Sequence, residues 1–254
     1  MSVMVYVLTS LCLLCCLVAA LLSVLGRETA SVRCHGIAWL LALLLFVADW
    51  ALAAAPPFGN MRHVLAFFPL VMVPAAAYLR RWRGINVEGW LAAASALALV
   101  GALCMPLQAE WRRMPALQSP WFAPHVTSYV VSYGLLTVSA LLVLARPLRP
   151  EQAGLDFRRA DALVKLAFPF LTFGLWSGAL WADAAWGAYW SWDIKEVWAL
   201  LTWCIYLFYF HVARYAAWVA WRRPLLLLGF VAVLSTFFVV NLLPNIESLH
   251  SYAQ

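Results

Sequence analysis

Charge is the scarcest property of this sequence. Charged residues fill 11% of its 254 positions, against 66% that are hydrophobic. A soluble domain carries about a quarter charged residues, so the composition excludes an ordinary soluble globular protein. The mean hydropathy of +0.85 makes the chain a multispan membrane protein. Alternation of apolar and polar residues is also missing, which excludes a transmembrane barrel and leaves helices as the spanning elements. No long repeat, low-complexity tract or linker divides the sequence. The expected fold class is therefore all-α, a polytopic membrane protein, with residues 1–254 as a single integral membrane domain.

Other absences narrow the function. No C-x-x-C-H run is present, so the chain is not itself a c-type cytochrome. Cys12 and Cys15 form a C-x-x-C, but no second pair or His completes a metal site, and cysteine in a membrane helix acts as a small hydrophobe. No basic stretch precedes the first apolar run; Arg27 and Arg33 follow it. The expectation is an uncleaved first helix with its N-terminus outside. The net charge of +6 sits in short clusters between apolar stretches, the pattern of topology control rather than nucleic-acid binding.

About 20 apolar residues cross a hydrocarbon core about 30 Å thick. Eight segments meet that length approximately: 4–25, 36–55, 62–79, 88–107, 124–145, 162–182, 197–221 and 224–243. Alternate gaps hold very different numbers of basic residues. One set holds Arg27, Arg33, Arg80, Arg81, Arg83, Arg146, Arg149, Arg158, Arg159, Lys165, Arg222 and Arg223; the other holds Arg62, Arg112, Arg113 and Lys195. The positive-inside rule then places both termini outside, with the loop between the sixth and seventh helices on the outer face. Residues 108–124 are expected to lie along the membrane surface.

That sixth–seventh loop contains "WGAYWSWDIKE", residues 186–196. Trp181, Trp186, Trp190, Trp192, Trp198 and Trp203 fall within 23 residues, with Gly187 and Tyr189 among them. Two readings fit. Trp and Tyr anchor helix ends at membrane interfaces, and Asp193 with Glu196 makes a D-x-x-E capping box for the next helix. A concentration of this density also offers flat apolar faces for a large planar ligand, with Gly187 permitting close approach. Haem is such a ligand, and its iron takes imidazole most simply.

Of five histidines, His125 and His250 fall on the outer face with this loop, one ahead of it and one after it. His211 falls about fourteen residues into the seventh helix, in the inner half of the membrane, where an ionisable residue is a functional candidate. Arg214 lies one turn on. His35 and His63 sit at helix ends and read as structural.

At this point the residues resemble a known family. "WGAYWSWDIKEVWALLTWCIYLFYFH" resembles the tryptophan-rich WWD signature of the cytochrome c assembly proteins, closest to the CcsA (ResC) branch of the System II pathway. "HVTSYVVSYGLL" (125–136) and "NLLPNIESLHSY" (241–252) resemble its flanking outer segments. The resemblance is carried by 121–254 and is weaker over the helices of 1–110. Where members often have N-(L/M)-Y-E, this chain has Asn60, Met61, Arg62 and His63, and Arg214 stands one residue later than the family's arginine.

The resemblance implies haem transport, presentation and ligation in cytochrome c maturation. His125 and His250 would be axial ligands of an outer haem, and His211 a ligand of a haem within the membrane. Trp186, Gly187, Tyr189, Trp190, Trp192, Asp193 and Glu196 would form the loop that holds it. The haem would be b-type, non-covalent and in transit, and the chain a membrane subunit of a haem lyase or synthase acting by positioning. Implied partners are a CcsB (ResB)-type membrane subunit, an apocytochrome c with its C-x-x-C-H thiols, thiol-reducing proteins and membrane lipid. The implied location is the bacterial inner membrane, with the loop on the periplasmic face. A System I haem-handling protein and a HemX-like regulator of tetrapyrrole synthesis share parts of this pattern, and an ordinary transporter with an aromatic belt shares its composition.

Overall fold

The computed structural model describes residues 2–53, 57–105, 115–148 and 150–236. Among the described residues every regular element is helical. They are α1 (Ser2–Val24), α2 (Glu28–Ala53), α3 (Met61–Ala66), α4 (Phe68–Arg83), α5 (Glu88–Leu103), α6 (Phe122–Leu144), α7 (Ala153–Trp186), α8 (Ile194–Val212) and α9 (Arg222–Leu234), with short 3-10 turns between some of them. Within a bilayer a helix satisfies its own backbone polar groups, which is why apolar runs of this length fold this way. Among the described residues six helical stretches are long and apolar enough to cross a membrane, and α5 is a shorter apolar helix. The chain is a multi-pass membrane protein.

Each expected segment carries a helix, with boundaries moved for physical reasons. The 62–79 segment breaks at Phe67, because Pro69 sits in the first turn of α4 and has no N–H to continue the helix from α3. The 162–182 segment extends to the 34 residues of α7, about 51 Å long. Its charged start reads as loop, yet Asp156–Arg159 (3.1 Å) and Asp161–Lys165 (2.7 Å) pair at helical spacing along α7. The 197–221 segment ends early, at Val212, and resumes as a 3-10 turn over Ala216–Trp221.

The chain divides into two compact units, residues 1–118 and 119–254. In the first, α1 packs against α2 and α5, and α4 against α5. Cys12, Cys16, Ala38, Ala42, Ala96 and Leu99 form its core, so most contact positions are small and the helices approach closely. Cys12 donates to the Ala38 carbonyl (3.2 Å) and Ser31 to that of Ala19 (2.7 Å), further joining α1 to α2. His35 and Glu88 are buried and paired at 2.7 Å, and Glu88 is also paired with Arg80. Three helices are thereby tied together through the Glu88 carboxylate.

In the second unit α6 lies along α7, α8 packs on α9 and α7, and α9 on α6. Asp161 of α7 accepts from Tyr209 Oη of α8 (2.9 Å), from Lys165 (2.7 Å) and from Arg222 of α9. Arg222 also lies over the Phe157 ring, 4.5 Å from its centroid. This knot joins the end regions of α8 and α9 to α7.

Candidate functional site

The site begins where α6 meets α7. The sequence "GLWSG", residues 174–178, puts two glycines one turn apart on α7, and α6 lays His125 and Tyr129 against them. A Cβ at Gly178 would lie 2.6 Å from the Nδ1 and Cε1 atoms of His125, and one at Gly174 would lie 3.3 Å from the Tyr129 ring. Small–x3–small spacing of this kind lets membrane helices approach closely. His125 Nδ1 is 2.9 Å from the Gly174 carbonyl oxygen. A carbonyl only accepts, so Nδ1 carries the proton and the neutral ring has its lone pair on Nε2. Ligating histidines are oriented by just such a second hydrogen bond.

An aromatic chain runs from that imidazole to the loop. The His125 ring lies 5.3 Å from Trp181 at 30°, and Trp181 lies 5.0 Å from Trp186 at 64°. Tyr129 meets His125 edge-on at 4.9 Å, and Phe122 packs on Trp181 at 5.2 Å. Trp181 is fully packed and carries the line inward from Trp186. The structure thus joins His125 to Trp186 through residues outside the expected site set.

Trp186 is the last residue of α7, and Gly187 closes the helix in the left-handed region (φ 76°), its N–H bonded to Asp183 O at 2.8 Å. The true loop is therefore Gly187–Asp193. Tyr189 and Trp192 stand out from it, 58% and 71% exposed, as faces open to a partner or ligand. Trp190 packs edge-on against Trp192 at 5.8 Å, and its buried Nε1 has no acceptor among the described residues.

Asp193 and Glu196 do form the expected capping box at the start of α8. Asp193 accepts from the Lys195 N–H (2.9 Å), and Glu196 Oε2 accepts from the Asp193 N–H (3.2 Å). Glu196 reaches further back, accepting from both the N–H (2.8 Å) and the hydroxyl (3.2 Å) of Ser191. Between those two bonded amides lies Trp192, at φ 59°, the one non-glycine among the described residues with positive φ. Left-handed backbone costs a side-chain-bearing residue about 1–2 kcal/mol. Lys195, ahead of the apolar run that begins at 197, has its amine pushed below the ordinary range by burial, with the Asp193 charge working the other way.

His211 lies elsewhere. The early end of α8 puts it in the last helical turn rather than mid-helix, about 26 Å along the axis from Ile194. It is exposed on the unit's surface, and its Nδ1 donates to the Leu207 carbonyl at 2.9 Å, which again leaves the lone pair on Nε2. Arg214 follows in the turn, its N–H bonded to His211 O at 3.1 Å. His250 lies outside the described residues, as do residues 108–114 and the whole of 241–252. Among the described residues no three His, Cys, Asp or Glu side chains gather to hold a bare metal ion.

The residues fit a haem in four respects. They present a tautomer-fixed imidazole, a ring array beside it, two exposed aromatic faces, and a buried indole donor lacking an acceptor. Gly174, Gly178, Tyr129 and Trp181 were not singled out as site residues in the sequence reading. The G-x-x-x-G spacing is the signal that points to the first two.

Comparison with known proteins identifies the family. Residues 4–247 match the family model described as "Cytochrome C assembly protein". The chain is 34% identical over 239 residues to the cytochrome c biogenesis protein CcsA of Chlamydomonas reinhardtii, a match covering 85% of this chain and 66% of the relative. It is 32% identical over 256 residues to CcsA of Mesostigma viride (84% and 82% covered). It is 31% identical over 274 residues to CcsA of Synechococcus elongatus (82% of each). The chain belongs to the cytochrome c assembly protein family.

Proposed function

We propose that this member of the cytochrome c assembly family receives haem and holds it for attachment to apocytochrome c. The observation that carries the reading is His125, seated on Gly178, with Nδ1 bonded to Gly174 and its ring stacked into the Trp181–Trp186 array. His125 and His250 would hold the haem iron through their imidazoles. Trp186, Gly187, Tyr189, Trp190 and Trp192 supply the platform, while Asp193 and Glu196 shape it. The loop faces the periplasm from a bacterial inner membrane, in keeping with the distribution of Lys and Arg among the loops.

The chemistry needs no protein nucleophile. Each C-x-x-C-H thiol adds across a haem vinyl group: a sulfur–carbon bond forms, and the thiol hydrogen ends on the other vinyl carbon. What the protein supplies is orientation of the vinyl edges and exclusion of water. Thiol-reducing proteins keep the client's sulfurs available. His211, exposed on its helix, serves a second haem in the membrane, whose other ligand comes from a CcsB (ResB)-type subunit.

The test is the reduced-minus-oxidised spectrum of the protein purified with that partner subunit. A six-coordinate b-type spectrum is expected, reduced to the share of the membrane haem in His125→Ala and in His250→Ala and restored to full intensity by added imidazole. A haem-free wild type from haem-replete cells would overturn the reading. Ligation to an added apocytochrome c then separates this function from that of a tetrapyrrole regulator.

A further inference from the structure

Glu196 makes more bonds than a capping box requires. A capping box uses its N3 carboxylate for the N-cap N–H alone, here that of Asp193. The same oxygen, Oε2, also takes the N–H and the hydroxyl of Ser191. The two amides it holds are the neighbours of Trp192 on either side, and Trp192 is the residue in left-handed backbone with 71% of its surface exposed.

We infer that Glu196 is a positioning residue: by holding the amides of Ser191 and Asp193 it keeps Trp192 in a left-handed turn with its indole directed out of the loop, as a fixed wall for the planar ligand. The inference rests on the proposed function for the identity of that ligand, but not for the clamp itself. Three considerations support it. An L-residue enters this backbone region only when its surroundings hold it there. A cap alone needs no contact with Ser191, two residues ahead of the N-cap. Asn, Asp or Gly takes left-handed backbone more readily, yet the position carries a Trp, so the ring is needed there.

The geometry also separates reach from charge. One oxygen does all the accepting, so a side-chain amide of equal length replaces it. A carboxylate one methylene shorter does not. Glu196→Gln keeps the clamp, and Glu196→Asp loses it despite keeping the charge.

The experiment has two arms, both on the full chain purified with its partner subunit. The first follows hydrogen exchange over residues 189–196. Exchange of the Ser191 and Asp193 amides is expected to speed up about ten-fold or more in Glu196→Asp, the scale of one hydrogen bond to a charged group, and far less in Glu196→Gln. Equal exchange in wild type and Glu196→Asp would overturn the clamp. The second arm measures haem retention in a double-mutant cycle with Trp192→Gly, glycine being free to take this backbone. Glu196→Asp should lower retention several-fold in the wild-type background and add nothing in Trp192→Gly. An additive loss would show that Glu196 acts on the ligand by another route and would overturn its positioning role. A haem-free wild type would sink the haem reading, while the exchange arm would still decide the clamp.

Discussion

His125 donates from Nδ1 to the carbonyl of Gly174 across the α6–α7 contact, at 2.9 Å. The imidazole can lie that close only because Gly178, one turn further along α7, has no side chain. Backbone packing and ligand chemistry are thus the same feature here.

Gly178→Ala should therefore act as a site mutation. Its Cβ would fall 2.6 Å from two ring atoms of His125, forcing the ring out of its rotamer. The six-coordinate spectrum should weaken several-fold and recover with added imidazole. Gly154→Ala on the same helix meets nothing within 4 Å and should keep the spectrum of wild type. Equal spectra for the two variants would refute the packing argument.

Arg62 is buried to 2% exposure, its three guanidinium nitrogens lack hydrogen bonds among the described residues, and Asp49 stands 3.9 Å away. Removing one charge of a buried pair costs about 3–5 kcal/mol, whereas replacing both by apolar groups is often neutral or stabilising. Asp49→Leu alone should lower the melting temperature in detergent sharply. The double variant Asp49→Leu with Arg62→Met should recover most of that loss. If it melts lower still, the pair is a net stabiliser.

The knot at Asp161 should be graded. Tyr209→Phe removes one hydroxyl donor and should cost about 1 kcal/mol. Asp161→Ala leaves both Arg222 and Lys165 without their carboxylate and should cost several times more. Chemical denaturation of the two variants checks the ratio; similar losses would mean that the ion pairs add little to the tyrosine bond.

Lys195 sets an alkaline dependence. Its folded-state pKa is depressed by burial, so the unfolded chain binds more protons between that value and the ordinary lysine range. Stability contributed by this group therefore rises with pH through that window. Lys195→Met should be more stable than wild type at neutral pH, with a flatter alkaline rise. A parallel pH profile for the two proteins would show that the lysine is solvated.

Much of this protein was legible in the sequence, and the reasons are physical. Composition excludes a water-soluble core, a bilayer admits helices for continuous apolar runs, and the residues Asp193 and Glu196 write a helix start by their spacing alone. The segment WGAYWSWDIKE names its family because its residues are dense and local. Helix limits were less legible: charges at 156–165 look like loop until their i,i+3 and i,i+4 pairs are seen on α7.

What only the tertiary structure decided is long-range. Sequence places His125 and Gly178 more than fifty residues apart, and only the α6–α7 contact makes them neighbours. Trp181 reads as one tryptophan among six until it stacks on that imidazole. His211 moved from mid-helix to helix end because α8 stops at Val212, which its apolar sequence does not announce. The left-handed Trp192 has no sequence sign at all, since a bulky residue there is disfavoured locally and is held by bonds from Glu196 to its neighbours. The sequence by itself determined a helical membrane protein of the cytochrome c assembly family, because hydropathy and a compact motif are local properties. Which side chains meet, and in what geometry, was left to packing between helices.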